Sequence, residues 1–518
     1  EKDNMAVNNI PKEKFEFAAA GEKIFDKKPE TKPIGYFKDA WLRFRKNKAS
    51  VVAAVIIILI ILYAIFVPVF IGRDATMMDN IYKQKGPRLT LFYDLGVNGG
   101  VSKSVNESMI VENLAIGLGA ENYDGSKNAL NEGRDSYYQP VLKIKGERTS
   151  AGRSIYDVKI DAYLEVGFRE IDISQQEYAK ITDWEQKTGL HVLYPLIDNN
   201  EYWIDISDAN LWYKTNRQGK PIKVSDSGKE TVIPYSEDMV LEDNYLRDSE
   251  GNLVYYRYTG GGDAETAQYQ VRILYYNYYR YLYGTEPNYI FGTDSQGYDM
   301  ALRLANGIKL SLLVSVFVSL INLVLGTIYG AIEGYYGGAV DLVMERVSDI
   351  LSGVPFIVVA TLFQIHLATK VGAIPSLLFA FVTTGWIGTA QRVRTQFYRF
   401  KNQEYVMAAK TLGARDRRLI WKHIFPNSLG TIITSSVLVI PSTILSESIL
   451  SFLGIVNLGG SKMTSLGTLL SDASDLWQGA PHLMFFPAAV ISLLMICFNL
   501  FGNGLRDAFN PSLRGVED

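Results

Sequence analysis

Long stretches without charged residues limit this chain more than any other feature of its sequence. Residues 50–71 contain no Asp, Glu, Lys or Arg. At about 1.5 Å per residue they form a helix of roughly 33 Å, enough to cross the hydrocarbon core of a bilayer. A buried core helix explains one such stretch but not six, so we predict a membrane α-helical chain with six transmembrane helices. The other five stretches lie at about 308–332, 350–369, 371–391, 429–453 and 483–504.

The distribution of Lys and Arg predicts the orientation of these spans. Short cytoplasmic loops of membrane proteins are enriched in these two residues. They cluster at 38–48, before the first span, and at 392–422, between the fourth and the fifth. Six spans place both clusters and both termini in the cytoplasm. We therefore expect residues 1–49 to form a cytoplasmic tail with an amphipathic helix that leads into the first span.

The long segment between the first two spans predicts a folded domain outside the membrane. Residues 73–290 carry 24 Lys and Arg against 33 Asp and Glu, whereas the whole chain carries 52 against 55. Residues 158–166 alternate apolar and polar side chains, as a half-buried strand does. Ser174 and Glu177 form a capping-box pattern, and Gly189 stands where the following helix should stop. We predict an extracellular α+β domain at residues 72–290.

Seven tyrosines lie between positions 269 and 283, close to the end of this predicted domain. Tyr favours the boundary between water and lipid, so these residues predict a domain base that meets the lipid headgroups. A platform for a docking partner or for passing substrate is the alternative.

Catalytic and metal-binding patterns are not visible in the sequence. Cys497 is the single cysteine, so no intramolecular disulfide can form, and the four histidines are scattered without metal-ligand spacing. The chain has no G-x-x-x-x-G-K-[ST] loop of the kind that cradles phosphates. We therefore predict that the chain is not an enzyme and holds no cofactor or metal of its own.

A basic loop between the fourth and fifth spans has many apolar residues. Its residues 404–430 read EYVMAAKTLGARDRRLIWKHIFPNSLG. The pattern predicts a helix over 404–412, a break at Gly413 for positive φ or close backbone approach, and a helix over 415–424. Pro426 either ends that second helix or starts the next one. Charge alone fits a solvated loop, but we expect the apolar side chains to pack against a cytoplasmic partner. These side chains are Val406, Met407, Leu419, Ile420 and Trp421.

The same loop resembles the ATPase-coupling loop of ABC importer permeases. That loop has the pattern Glu-Ala-Ala, three residues, Gly, nine residues, Ile-x-Leu-Pro. This chain keeps the spacing of Ala-Ala, Gly and Pro, and it has the loop between the fourth and fifth of six spans, as the family does. It departs from the pattern at three positions, where it has Met407, His423 and Phe425.

Further stretches are similar to the C-type permease subunit of dipeptide and oligopeptide importers. Tyr298 stands where this subunit usually has Arg, and Asn503 where Asp is common. The similarity covers 38–71 and about 290–515. It does not cover the outer block, because most such subunits join their first two spans by a short loop. A large insert at this place resembles some Gram-positive peptide importers.

The resemblance implies a type I ABC importer permease core at 291–518, with a coupling loop at 392–428. It implies that the chain forms half of a peptide pathway in a bacterial plasma membrane and binds no nucleic acid. The implied partners are a B-type permease subunit, two cytoplasmic subunits that hold ATP and Mg, and an extracellular peptide-binding protein. The residues implied to contact the ATPase are Met407, Ala408, Ala409, Gly413, Ala414, Arg417, His423 and Pro426.

Two questions stay open from the sequence. Relatives of this architecture transport nickel or sugars as well as peptides, and a membrane-anchored sensor also combines an outer domain with helices, although it needs no coupling loop. Glu447 lies inside the fifth span, where a carboxylate requires a partner or water. It either lines the pathway or caps a contact between helices.

Overall fold

The computed structural model describes residues 35–74, 76–121, 136–150, 153–197, 245–261, 267–460 and 463–509, with the short segments 210–211, 223–226, 229–232 and 242–243. In these residues, five helices are long and apolar enough to cross a membrane, or six if a pair joined at a bend is one span. The prediction of a membrane α-helical fold with about six spans is confirmed. Most of the predicted tail, residues 1–34, lies outside the described residues.

Two helices lead the chain into the membrane part, α1 (Tyr36–Lys46) and α2 (Lys48–Ile71). The side chain of Asn47 accepts a hydrogen bond from Ser50 N at 3.2 Å and so caps α2, the first span. The Ser50 hydroxyl donates to the carbonyl of Leu500 at 3.0 Å. The first span is therefore tied to the last one.

A region that contains antiparallel sheets follows the first span. One sheet has the strand order β1 (Gly100–Asn106), β3 (Arg153–Asp161), β2 (Val141–Ser150). Another has the order β10 (Tyr256–Gly260), β11 (Gln268–Leu274), β4 (Phe168–Ser174), with β5 (Leu193–Tyr194) also paired to β11. Ser174 accepts a hydrogen bond from Glu177 N at 3.1 Å, and Gly189 ends the helix with a φ of 72°, as predicted. The strands are β1 (Gly100–Asn106), β2 (Val141–Ser150), β3 (Arg153–Asp161), β4 (Phe168–Ser174), β5 (Leu193–Tyr194), β6 (Asn210–Leu211), β7 (Lys223–Asp226), β8 (Lys229–Val232), β9 (Glu242–Asp243), β10 (Tyr256–Gly260) and β11 (Gln268–Leu274). The helices are α3 (Glu107–Glu121), α4 (Gln175–Thr188) and α5 (Tyr275–Tyr283).

The strand predicted over 158–166 is shorter than expected. It ends at Asp161, and a 3-10 turn forms at Leu164–Val166. In a half-buried strand the polar positions of the alternation face water, but Asp161 and Tyr163 at two of these positions are both fully buried. Asp161 is buried because it forms an ion pair of 3.3 Å with the buried Arg88. Burial alone lowers the pKa of Arg88, but the Asp161 carboxylate raises it above its ordinary value.

The tyrosines near the end of this region belong to its core. Tyr275 and Tyr279 of α5 pack with Tyr82, Tyr163 and Tyr289, and all five are buried. The ring of Tyr82 lies 4.9 Å from that of Tyr163 and 5.0 Å from that of Tyr275, edge to face. Burial raises the pKa of Tyr279 to about 12. For Tyr275 and Tyr279, which belong to the predicted set, both predictions, a base against headgroups and a docking platform, are wrong.

Residues 291–299 join the sheet-containing region to the membrane helices. Asp79 N donates to the carbonyl of Gly297 at 3.1 Å, and His482 Nε2 lies 3.3 Å from the carbonyl of Thr293. Gly297 has a φ of 95°, and a Cβ there would overlap the backbone of Asp79, so this position requires glycine. The predicted domain boundary at residue 290 therefore falls where the sheet-containing region and the membrane helices are packed together.

The remaining helices complete the membrane part. They are α6 (Met300–Tyr336), α7 (Gly338–Ser352), α8 (Phe356–His366), α9 (Ala368–Val371), α10 (Ala373–Gly385), α11 (Ile387–Lys401), α12 (Glu404–Thr411), α13 (Asp416–Arg418), α14 (Phe425–Val437), α15 (Val439–Phe452), α16 (Leu466–Ala473) and α17 (Pro481–Phe509). A π-helical turn, Leu419–Ile424, connects α13 to α14.

Two spans differ from their predicted bounds. At the position of the third, expected at 350–369, the structure has the helix pair α7 and α8, which is apolar enough for a span only as a pair and is bent by 72°. Pro355 stands at this break, where it lacks a backbone N–H and disfavours helical geometry in the residue before it. The fourth, expected at 371–391, corresponds to α10 and α11, which together run from Ala373 to Lys401 and are interrupted only at Trp386. Helical structure therefore continues to Lys401, beyond the predicted start of the coupling loop at residue 392.

Glycines bring α6 and α11 into close contact. Gly326, Gly330 and Gly334 recur every four residues on α6 and lie against α11. A Cβ at Gly334 would lie 2.7 Å from the Cβ of Phe397, and one at Gly330 would overlap the carbonyl of Ala390. Small residues at this spacing let membrane helices approach closely. This glycine seam, the contact of the three glycines with α11, holds in place the helix that leads into the basic loop.

Candidate functional site

The candidate site is the segment between α11 and α14, which contains the coupling-loop pattern. Gly413 follows α12 with a φ of 83°, and α13 with its π-helical turn leads from there to α14. Pro426 lies in the first turn of α14, where its missing N–H leaves no helical hydrogen bond unmade. The structure thus has the predicted helix, glycine and second helix, and Pro426 starts the next helix.

Apolar residues anchor this segment on the membrane helices. Val406 and Leu419 are buried in a cluster with Val393 and Phe397 of α11, and Ile420 is half-buried against the same cluster. The interpretation that the loop's apolar residues need an outside partner is wrong for these three, because the fold itself covers them.

Hydrogen bonds fix the segment further. Tyr335, near the end of α6, donates to Asp416 at 2.6 Å. Asn427 Nδ2 donates to the carbonyl of His423 at 2.7 Å and to the hydroxyl of Tyr405 at 3.1 Å. Burial raises the pKa of Tyr405, so its hydroxyl stays neutral at physiological pH. The segment is therefore held both to α6 and to the start of α14.

Three large apolar side chains of the segment remain uncovered. Leu412 is 89% exposed, Trp421 is 55% exposed and Met407 is 51% exposed. Aromatic residues and Met are enriched at protein–protein interfaces. Exposed apolar side chains on a fixed base are typical of a surface that another protein covers.

Gly413 provides the turn between the two short helices. Its φ of 83° lies in the left-handed region, which residues with a Cβ rarely adopt. A Cβ placed there would meet nothing within 4 Å. Of the two predicted reasons for this glycine, the structure therefore gives backbone geometry, and not a close approach within this chain.

Some of the other predicted contact residues are exposed, and the rest are half-buried. The exposed ones are Ala408, Arg417 and Pro426, and the half-buried ones are Ala409, Ala414 and His423. All eight predicted residues lie within residues 404–426, from α12 to the first turn of α14. Leu412 was missing from the prediction, and its signal was a large apolar residue directly before the glycine that ends a helix.

An ion cluster that the sequence did not predict lies just before the segment. Arg394 of α11 donates to the two carboxylate oxygens of Asp341 at 2.6 and 2.9 Å and to Glu345 at 3.0 Å, both on α7. Lys401 donates to the carbonyl of Gly334 at 2.9 Å. These bonds tie the bent third span and α6 to the helix that ends at the candidate site.

Glu447 lies deep among the helices and is 1% exposed. It accepts hydrogen bonds from the hydroxyls of Ser311 on α6, at 3.1 Å, and of Ser451, at 2.9 Å. The Ser311 hydroxyl in turn accepts a bond from Leu466 N, at the start of α16, at 3.2 Å. Of the two predicted roles for Glu447, this geometry corresponds to a contact between helices.

Comparison with known proteins gives the class of the membrane part. Residues 322–515 match the family described as the inner membrane component of binding-protein-dependent transport systems. Residues 35–87 match the N-terminal transmembrane domain of oligopeptide transport permease C. The class is therefore a transport permease of the membrane, and most of the sheet-containing region lies between the two matches.

Curated relatives narrow this class. The dipeptide transport system permease protein DppC of Bacillus subtilis is 41% identical over 226 residues, which are 43% of this chain and 69% of the relative. The oligopeptide transport system permease protein OppC of Haemophilus influenzae is 44% identical over 231 residues, 44% of this chain and 72% of the relative. A solved inward-facing MetNI methionine ABC transporter is similar over 41% of this chain and 98% of its own, with 13% identity and a TM-score of 0.35. The chain belongs to the family of C-type oligopeptide and dipeptide transport permeases, as the sequence resemblance predicted.

Proposed function

We propose that this chain is one permease subunit of an ATP-driven importer of oligopeptides or dipeptides and forms half of the translocation pathway. The observation that carries the proposal is the segment at 404–426, where Met407, Leu412 and Trp421 are exposed on a base that the spans hold fixed. A cytoplasmic ATPase that covers these side chains can move α11 and α14, because Val406 and Leu419 move with those helices.

The partners follow from this mechanism. Two cytoplasmic subunits bind and hydrolyse ATP with Mg, and closure of the pair pushes on the coupling segment of each permease. A B-type permease subunit forms the other half of the pathway. An extracellular binding protein delivers the peptide. Both termini of this chain lie in the cytoplasm, and the sheet-containing region lies outside as an α+β insert, as the Lys and Arg clusters favour.

Peptides are the substrate class that the relatives favour. Several relatives are named as dipeptide or oligopeptide transport permeases. A sensor function has no use for an exposed coupling segment tied to two spans.

Uptake into proteoliposomes tests this function. The complete importer is reconstituted with ATP inside, and the binding protein and a radiolabelled tripeptide are added outside. We expect peptide accumulation that requires both ATP and the binding protein, and no accumulation when ADP replaces ATP. Nickel and a disaccharide are supplied in parallel as substrate controls. ATP-driven uptake of either control without peptide uptake would contradict the peptide assignment.

A further inference from the structure

A cavity of about 340 Å³ lies among the membrane helices, away from the coupling segment. Its walls come mainly from α6, α10, α11 and α15. On α15 the wall residues Val439, Ser442 and Ser446 follow the spacing of one helical face. On the α11 side, Gly388 and Arg392 lie four residues apart on one face in the same way. The cavity is therefore bounded by aligned faces and is not an accidental gap between loops.

Polar groups in this cavity lack partners. Asn322 of α6 is 2% exposed, and its Oδ1 has no hydrogen-bond partner among the described residues. Gly385 leaves room for this amide, because a Cβ at Gly385 would overlap Asn322 Nδ2. The hydroxyls of Thr384 and Ser446, also in the wall, form no hydrogen bond with any residue that the structure describes. A buried amide oxygen without a donor is costly, so it marks a place where a ligand can supply one.

Two arginines on α11 differ in their partners, and this difference indicates which kind of ligand the cavity binds. Arg394 is fully engaged by Asp341 and Glu345. Arg392, two residues earlier, lines the cavity and has no ion pair within the described part of the chain. Arg392 is exposed and begins the Lys and Arg cluster at 392–422, so its guanidinium is open to an anionic ligand that enters the cavity. Arg binds carboxylates with two parallel hydrogen bonds.

From these groups we infer that the cavity is a transit subsite for a short peptide, in which Arg392 binds a carboxylate, above all the C-terminal one. Asn322 Oδ1 accepts a backbone N–H of the peptide. Ser446 and Thr384 bond to its remaining polar groups, and Phe381 in the wall contacts its apolar side chains. This inference rests on the proposed peptide import and names the chemistry by which the pathway holds its substrate.

Paired substrates test the assignment in the reconstituted importer. The probes are a tripeptide with a free C-terminal carboxylate and the same tripeptide as its C-terminal amide, each at a concentration that saturates the binding protein. Wild-type importer should transport the acid faster than the amide. Arg392→Gln should lower uptake of the acid about tenfold and leave uptake of the amide unchanged, because only the acid loses a charge-assisted bond. Arg392→Lys should keep part of the preference.

Arg399→Gln is the matched control. Arg399 lies on the same helix and is exposed, but it does not line the cavity. Its loss should leave the ratio of acid to amide uptake as in the wild type. An unchanged ratio in Arg392→Gln, an equal fall for both peptides, or a wild-type importer that does not distinguish them would overturn the subsite. A wild-type importer that transports neither peptide would instead contradict the proposed function.

Chemical trapping gives a second measurement that keeps Arg392 intact. Ser446→Cys is made in a Cys497→Ala background, and the peptide carries an activated pyridyl disulfide on its side chain. The new thiolate attacks this disulfide, forms a mixed disulfide with the peptide and releases 2-thiopyridone. We expect trapping during ATP turnover that excess acid tripeptide prevents and its amide does not. Absence of trapping, or equal protection by both peptides, would overturn the inference.

Discussion

Arg73 and Asp299 form an ion pair of 3.0 Å that closes the base of the sheet-containing region. Arg73 follows the end of the first span, and Asp299 caps the second by accepting a hydrogen bond from Ala301 N at 2.9 Å. The guanidinium of Arg73 also lies 4.5 Å from the ring centre of Tyr289, in the core of the region. One side chain therefore links both spans to the domain that the chain inserts between them.

Removal of either partner should weaken this base. The Arg73 side chain is 13% exposed and that of Asp299 is 5% exposed, so each single variant leaves a nearly buried charge without its partner. We expect Arg73→Met and Asp299→Asn each to cost about 3 kcal/mol of stability. Asparagine preserves the cap, so the loss reports the ion pair. Thermal unfolding in detergent should show the double variant less destabilised than the sum of the two, and additive losses would show that the residues are independent.

The glycine seam between α6 and α11 should tolerate no side chain. Gly330→Leu forces the backbone at Ala390 to move, and overpacking of this kind costs about 1–3 kcal/mol or more. We expect a sharply lower yield of folded protein in detergent, measured by size-exclusion chromatography. Ile328→Leu on the same helix, at an exposed position, should match the wild type. Wild-type yield for Gly330→Leu would mean that the two helices are not packed this closely.

Cysteine labelling in intact cells tests the orientation. Lys187 on α4 and Lys410 on α12 are exposed and suit this experiment. In a Cys497→Ala background, Lys187→Cys should react with a membrane-impermeant maleimide and Lys410→Cys should react only after permeabilisation. The reverse pattern would overturn the topology.

The spans could be predicted from the sequence because the hydrocarbon core of a bilayer excludes charged side chains. The motif at 404–426 was accessible for a similar reason, since Gly413 and Pro426 act through local backbone geometry. Pro355 is visible in the sequence as a residue that interrupts helices, but the contacts of α7 with Arg394 are not.

Contacts between residues that lie far apart in the chain could not be predicted from the sequence. Asp161 alternates in sequence like a solvated residue, yet it is buried because Arg88, far away in the chain, neutralises it. Periodicity likewise cannot tell which apolar residues of the coupling segment the fold covers. Val406 and Met407 are adjacent and equally apolar, but only Val406 meets α11.

Leu412 should be a contact for the ATPase. Burial of a Leu side chain contributes about 1.5–3 kcal/mol, so Leu412→Ser should weaken association with the ATP-binding subunits about tenfold or more. Folding should be unaffected, because the side chain is exposed in the isolated chain. Leu91→Ser is the matched control, since Leu91 is 83% exposed but lies in the sheet-containing region. Equal affinity of both variants, measured by titration in nanodiscs, would remove Leu412 from the interface.

Gly413 gives the most direct test of the coupling segment. Valine at this φ of 83° is strained, at a cost of roughly 1–2 kcal/mol, and under the proposed function the altered turn displaces α12 from its ATPase contact. Gly189→Val is the control, because Gly189 has a φ of 72° and open space around it but follows α4, far away in the chain. Gly413→Ala adds similar backbone strain with little bulk.

The decisive measurement is peptide uptake and substrate-stimulated ATP hydrolysis in the reconstituted importer, at matched subunit stoichiometry. We expect that Gly413→Val assembles but loses about tenfold or more in both rates, that Gly413→Ala loses less, and that Gly189→Val transports like the wild type. Near-normal uptake and hydrolysis by Gly413→Val would contradict the assignment of residues 404–426 as the element that couples ATP hydrolysis to transport.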